Sequence, residues 1–253
     1  MNSDERRKKI LEYLEKNQVG YTTNLAEEFE TSPITIHRDL AAMSKKGLVT
    51  IIRGGAALNL GTSILYNLQL RQKNFPLEKK HIAEYCADLV SDGMTVFIDC
   101  GSTAEKIAES LLTKKNVTFM TNSLDTAHIL SRSADNTLIM VPGVFQEKLR
   151  GFSGLITADF MKNFMVDILF LGAQGVDVKG GLSSPYYVDA ETKKILMKRA
   201  KKVVVASDHS KFGKYFFEVI ARLKEIDLIV TDKDIPAEIF NDIQNYSANI
   251  VTV

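Results

Sequence analysis

Ser32-Pro33-Ile34-Thr35-Ile36-His37-Arg38-Asp39-Leu40-Ala41-Ala42-Met43-Ser44-Lys45-Lys46-Gly47 is the stretch that decides the reading of the N-terminal part of the chain. Ser32 stands as an N-cap before Pro33, whose missing N–H costs nothing at the first helical position, so a helix is expected from Pro33 to Gly47. On that helix Ile36, Leu40 and Met43 fall on one face and form an apolar packing stripe. The opposite face carries Ile34, Thr35, Arg38, Ala41 and Lys45, with His37 at its margin. Small residues there permit close approach to a major groove. Thr35 and His37 can bond base edges or phosphates, and Arg38 can pair bidentately with guanine.

Working outward, Ile10, Leu11 and Leu14, then Leu25, Ala26 and Phe29, recur at helical spacing and indicate two short helices broken at Asn17 to Gly20. On the other side Leu48 to Ile52, Arg53-Gly54-Gly55 and Ala56 to Leu58 read as two strands around a glycine turn. Three helices and a hairpin wing make residues 1–58 a winged helix-turn-helix. Its candidate DNA contacts are Thr22, Thr23, Ser32, Thr35, His37, Arg38 and Arg53, with Arg6, Arg7, Lys8 and Lys9 as auxiliary cations for phosphates. Asp39 is expected to pair within the module rather than touch DNA. Residues 1–58 hold nine basic and eight acidic side chains. That balance does not by itself separate a DNA-binding winged helix from a structural or protein-binding one.

Residues 59–75 show no dominant period and read as a linker with room for a short helix. From Pro76 the texture changes to apolar runs alternating with helical patterns. The expected strands are Thr95 to Ile98, Val117 to Met120, Leu138 to Val141, Ile168 to Leu171, Val203 to Ala206, Leu228 to Val230 and Ile250 to Val253. Such alternation implies an open α/β domain over residues 76–253 with a mostly parallel sheet and helices on both faces. In such sheets ligands bind beyond the carboxyl ends of the strands. Small and polar residues cluster there: Asp99-Cys100-Gly101-Ser102-Thr103, Thr121-Asn122-Ser123, Pro142-Gly143, Gly172-Ala173-Gln174-Gly175 and Asp208-His209-Ser210-Lys211. The first of these opens a predicted helix, where backbone N–H groups and the helix dipole can hold a phosphate. Taken alone, the same residues also fit a plain tight turn.

At 253 residues, 45% hydrophobic and 25% charged, the chain has the composition of a globular protein of one small and one large domain. The net charge of +1 neither requires nor forbids a nucleic-acid partner. Cys86 and Cys100 have no zinc or disulfide spacing, and His81, His128 and His209 are scattered, so no metal and no cofactor is expected. The charged start and the absence of a long apolar run point to a cytoplasmic protein without a membrane span.

The N-terminal segment resembles the DeoR family of bacterial regulators. Arg6, Ile10 and Leu14, a seventeen-residue gap, then Ser32, Thr35, Ile36, His37, Arg38, Asp39 and Leu40 fall in that family's register. His37 stands where many members carry arginine. Residues 76–253 resemble the DeoR-type sensor domain, related in fold to sugar phosphate isomerases and deaminases. Asp99, Gly101, Ser102 and Thr103 match its Asp-x-Gly-Thr-Thr loop; Thr121, Asn122 and Ser123 match its Thr-Asn-Ser turn; Lys211-Phe212-Gly213 matches its Ser-Lys-Phe-Gly segment; Asp189, Ala190 and Glu191 match its acidic-Ala-Glu step.

The resemblance implies a repressor of a carbohydrate operon that binds double-stranded operator DNA as a homodimer or homotetramer and senses a small phosphorylated sugar. The effector contacts it implies are Asp99, Gly101, Ser102, Thr103, Thr121, Asn122, Ser123, Gly143, Gln146, Gln174, Glu191, Asp208 and Lys211. Gln146 replaces an arginine found in many members. Gln174 stands where the related isomerases have a carboxylate, and an amide cannot act as a base. A sugar phosphate isomerase or deaminase with an accessory winged helix is the alternative, and a binding-dead interaction module a third reading.

Overall fold

The structure is a computed structural model and describes residues 2–17, 19–45, 48–58, 71–72, 74–246 and 248–253. The chain divides into two units, Met1–Arg71 and Gln72–Val253. Most of the expected linker, and the Lys46-Gly47 end of the expected third helix, lie outside the described residues.

The first unit holds α1 (Ser3–Asn17), β1 (Val19–Tyr21), α2 (Thr22–Glu28), α3 (Pro33–Lys45), β2 (Val49–Ile52) and β3 (Gly55–Leu58). Ile10 and Leu14 of α1, Leu25 of α2, and Ile36, Leu40 and Met43 of α3 bury together against Val49 and Ala56. The wing is a three-stranded sheet rather than a hairpin, because β1 pairs antiparallel with β3. Three residues, Val19-Gly20-Tyr21, carry no period of their own. Their strand exists only through its partner.

In the second unit, α4 (Pro76–Asp88) leads into β4 (Thr95–Ile98), α5 (Ser102–Ser110), β5 (Thr118–Thr121), α6 (Leu124–Leu130) and β6 (Thr137–Met140). A hairpin, β7 (Val144–Gln146) and β8 (Gly151–Ser153), precedes α7 (Leu155–Met161) and β9 (Val166–Leu171). Then come β10 (Gly175–Asp177), β11 (Gly181–Ser184), α8 (Tyr187–Met197), β12 (Ala200–Ala206), β13 (Glu218–Ala221), β14 (Leu228–Thr231), α9 (Ala237–Asn245) and β15 (Ile250–Thr252).

Seven strands form one sheet in the order β15-β14-β12-β9-β4-β5-β6, every pair parallel. Alternate residues feed two cores: Phe97, Leu169, Val205 and Ile229 one face, Val96, Ile98, Phe170, Val204 and Val230 the other. Burial on both faces is why these strands read as unbroken apolar runs. The strand order also sets a topological switch point. From β4 the chain steps outward through β5 to β6, then returns to lay β9 on the other side of β4, so the order reverses between β4 and β9, the position where ligands sit in open α/β sheets. A second, antiparallel sheet, β10-β11-β13, was not expected from the sequence. Its strands are short, β10 and β11 contain glycine or serine, and β11 takes its second partner, β13, from more than thirty residues along the chain.

Candidate functional site

In the first unit Ser32 caps α3: its Oγ accepts the Thr35 N–H at 3.2 Å and shares a 2.8 Å hydrogen bond with Thr35 Oγ1. The outer face of α3 exposes Ile34, His37, Arg38 and Ala41, which with Thr22 and Pro33 line an open recess of about 420 Å³. Thr22 is fixed beside the wing turn by its N–H donating to Gly54 O, and Thr23 and Arg53 are exposed. Asp39 is buried behind this face and receives Arg6 Nε at 2.6 Å and Arg7 Nε at 2.7 Å. The two arginines read as phosphate contacts are therefore joined to Asp39. They clamp α1 to the back of α3, where a buried carboxylate without cations would be costly.

In the second unit the switch point holds a buried charge cluster. Asp99 follows β4; its N–H donates to Phe170 O, and its Oδ2 accepts the Gly172 N–H at 3.3 Å. Lys193, 2% exposed on α8, puts Nζ 3.3 Å from Asp99 Oδ2 and 3.1 Å from Asp189 Oδ2, and donates to Gly172 O. Ser184 Oγ donates to the same Asp189 oxygen. Burial pushes the Asp99 carboxyl above its ordinary range, against the pull of the Lys193 ammonium and with added push from Asp189. Burial opposes the Lys193 ammonium too, but Asp189 and Asp99 outweigh it and hold its pKa above the ordinary lysine value. The lysine stays charged.

Around this cluster Gly101 opens α5 at φ +128°, a backbone conformation suited to glycine, and Ser102 and Thr103 are buried on its first turn. Thr121 Oγ1 donates to Ile98 O, and Ser123 Oγ caps α6. Asn122 is buried: Nδ2 donates to Phe152 O, while Oδ1 has no hydrogen-bond partner among the described residues. The buried Gln174 Oε1 is likewise without one. Asp208 accepts hydrogen bonds from the Ser210 N–H and Oγ and lies 3.8 Å from Nζ of the buried Lys79. Burial would raise its pKa, yet Lys211, the Ser210 hydrogen bonds and Lys79 together hold it below the ordinary value.

The family model for the DeoR-like helix-turn-helix domain matches residues 6–62, and that for the DeoR C-terminal sensor domain matches residues 75–233. The chain belongs to the DeoR family. It is 31% identical over 94% of its length to the glycerol-3-phosphate regulon repressor of Escherichia coli K12, of which 94% is covered. It is 34% identical to the transcriptional repressor AccR of Agrobacterium fabrum C58, over 91% of this chain and 90% of that one. Ribose 5-phosphate isomerase A from Neisseria gonorrhoeae is similar in structure over 53% of this chain and 52% of that one, at 18% identity and a TM-score of 0.40. This DeoR-family protein is thus a DNA-binding transcriptional repressor with a helix-turn-helix and a sensor domain, and its similarity to named repressors favours a regulator over an enzyme.

Of the sensor residues singled out in the sequence, Asp99, Gly101, Ser102, Thr103, Thr121, Asn122, Ser123, Gln174, Asp208 and Lys211 all lie at the carboxyl edge of the parallel sheet. Gly143 follows β6 there too, packed so closely on the Ser153 backbone and Thr157 that an added Cβ would come within 2.2 Å of Thr157 Oγ1. Gln146 ends β7, opposite Gly151 in the hairpin. Glu191 is half-exposed and paired with Lys194 at 2.7 Å, two residues along the helix from Asp189 and so on a different face of it. Its neighbours Asp189 and Lys193, four apart, face inward instead. Sequence reading passed over Lys193 and Lys79 because each sits in a Lys-Lys pair that looks like surface. His209, read as isolated, pairs through Nδ1 with Asp232 at 2.7 Å, and their ligand atoms and that of Asp234 lie within 4.8 Å of one another. No helix among the described residues is long and apolar enough to cross a membrane.

Proposed function

We propose that this repressor controls a carbohydrate operon in the cytoplasm, as a homo-oligomer, and that a small phosphorylated sugar or polyol bound at the switch point changes its operator affinity. The observation that carries the reading is Lys193, held charged and buried between Asp99 and Asp189 beside the first turn of α5. A phosphorylated polyol needs two chemistries at once. Carboxylates of Asp99 and Asp189, held by Lys193, and of Asp208 accept from hydroxyls, while Lys211 and the N–H groups of Ser102 and Thr103 meet the phosphate. Asn122 Oδ1 and Gln174 Oε1 add acceptors that no group among the described residues satisfies. With an amide at Gln174 the pocket binds rather than turns over. On the DNA side, Arg38, His37 and Thr35 read bases, and Thr22, Thr23, Ser32 and Arg53 meet the backbone.

Switching requires the effector to favour one state of the molecule over another. The sensor unit's first residues are tied to the pocket's own elements: Gln72 Nε2 donates to Glu105 of α5, Lys79 Nζ bonds Asn74 O beside Asp208, and Phe75 packs its ring on His209 at 4.5 Å. A change at Asp208 or α5 reaches the segment leading toward the DNA-binding unit.

The test is fluorescence anisotropy on DNA from the protein's own upstream region, at fixed salt, titrated with sugar phosphates and glycerol 3-phosphate. Sequence-dependent binding shifted by one compound is expected. Operator binding that no phosphorylated compound moves would overturn the sensing half of the reading, and binding no better than to random DNA would overturn the operator half.

A further inference from the structure

On the outer face of α3, Ile34 is 69% exposed, the most exposed large apolar side chain among the described residues of the first unit. Neither packing nor helix propensity accounts for it. The core of the unit is filled from the other face of α3 by Ile36, Leu40 and Met43, and a β-branched residue is a mediocre helix former. A helix dipole favours an acid in the first turn, yet α3 has none there, and its one acid, Asp39, is buried. The exposed stripe is Ile34, His37, Arg38 and Ala41, an apolar group beside a cation with no carboxylate among them. The turn that carries Ile34 is also stiff. Pro33 fixes its own φ, Ser32 Oγ accepts the Thr35 N–H, and an isoleucine in a helix has one dominant χ1 rotamer. Seating this side chain against a partner therefore costs little conformational freedom.

The geometry points to Ile34 as a specificity-determining residue that reads the 5-methyl group of a thymine in the major groove. The inference rests on the base-reading role proposed above for this face of α3. Thymine shows an apolar group on its major-groove edge where cytosine shows an amine donor, so an exposed isoleucine separates the two pyrimidines. Residues at the N-terminal end of a recognition helix are the ones that reach base edges, and Ile34 is the second residue of α3. Ile34 and Arg38, four residues apart, are displaced by about 6 Å along the helix axis, less than two base steps of about 3.4 Å. The thymine read by Ile34 thus lies within two base pairs of the guanine read by Arg38.

The experiment begins with duplexes selected from a random pool by the full-length wild type, so that the probe does not depend on which upstream DNA is the operator. In the selected duplex each thymine is replaced in turn by deoxyuridine, which removes the methyl group and keeps the base pair. Fluorescence anisotropy at fixed salt then compares the wild type, Ile34→Ala and Arg38→Ala, with circular dichroism to check that each is folded. The wild type is expected to lose about fourfold in affinity at one thymine, the worth of one buried methyl group, within two base pairs of a guanine whose exchange for adenine Arg38→Ala no longer senses. Ile34→Ala should bind the thymine duplex about fourfold more weakly than the wild type and bind the deoxyuridine duplex equally well as the thymine one. A wild type indifferent to every methyl group, a methyl effect farther from that guanine, or one that Ile34→Ala retains would overturn the inference, as would a protein that enriches no sequence. The two readings fail separately. A selected sequence read through Ile34 but absent from the upstream region keeps the inference and removes the operator there; tight binding to upstream DNA with no methyl effect does the reverse.

Discussion

At the scale of single residues, charges that look alike in sequence divide into those left exposed on a face and those that hold the fold. Arg38 is exposed and Asp39, its neighbour, is buried under Arg6 and Arg7. Arg38→Ala should therefore cost about 1–3 kcal/mol on the specific site alone. Asp39→Ala leaves two arginines without their buried partner and should cost about 3 kcal/mol of stability, lowering affinity for all sequences alike. Thermal melts and anisotropy on specific and random DNA separate the two. A second contrast concerns acid. Because the folded pKa of Asp208 is depressed, this group contributes stability that is present above its unfolded value near about 4 and is lost as pH falls through the lower folded value. Asp99, raised by burial, has the opposite sign: its cost at neutral pH is relieved on acidification. Asp208→Asn should thus flatten the acid limb of a melting-temperature profile between about pH 5 and 2; an unchanged limb would mean Lys211 and Lys79 do not hold that carboxylate. The depth of Asp39 followed from its place on α3. That of Lys193 did not, because the burial of a lysine is decided by carboxylates from β4 and its own helix meeting across the sheet.

Elements that bury an apolar face were legible in the sequence, and elements defined by their partners were not. The helix α3 announced itself through Ser32-Pro33 and its apolar stripe, and the seven parallel strands through apolar runs buried on both faces. The β7–β8 hairpin and the β10-β11-β13 sheet were missed, since glycine-rich triplets such as Gly175-Val176-Asp177 carry no alternation. The tie between the start of the sensor unit and the pocket was equally invisible, being made by side chains of Gln72, Phe75 and Lys79. It gives a prediction at this scale. Lys79→Met keeps the volume of the stem but removes the charge beside Asp208 and the hydrogen bond to Asn74 O. Operator affinity without effector should stay within about threefold of wild type, and the shift on adding effector should shrink by about tenfold, or about 1.4 kcal/mol of coupling. A full response in the variant would show that the signal leaves the pocket by another route.

For the molecule as a whole, the two units have separate cores, so each has what it needs to fold alone. That separation makes the linkage measurable. A chain of residues 72–253 should fold, bind no operator DNA, and be stabilised by the sugar phosphate that moves the full protein, since a ligand of the folded state alone raises stability by RT ln(1 + [L]/Kd). At a hundred times Kd this is about 2.7 kcal/mol, readily seen in a thermal shift. The value of Kd then decides how the switch is built. If the fragment and the DNA-free full chain bind the effector equally, the free repressor already rests in the effector-competent state, and operator DNA is what opposes the effector. If the fragment binds more tightly than the full chain, the DNA-binding unit restrains the pocket even without DNA. The ties from Gln72, Asn74 and Phe75 to α5 and Asp208 favour the second outcome, because cutting the chain ahead of Gln72 removes whatever pull the first unit exerts on them. By reciprocity, the factor by which the effector alters operator affinity must equal the factor by which operator DNA alters effector affinity, so the two titrations check each other.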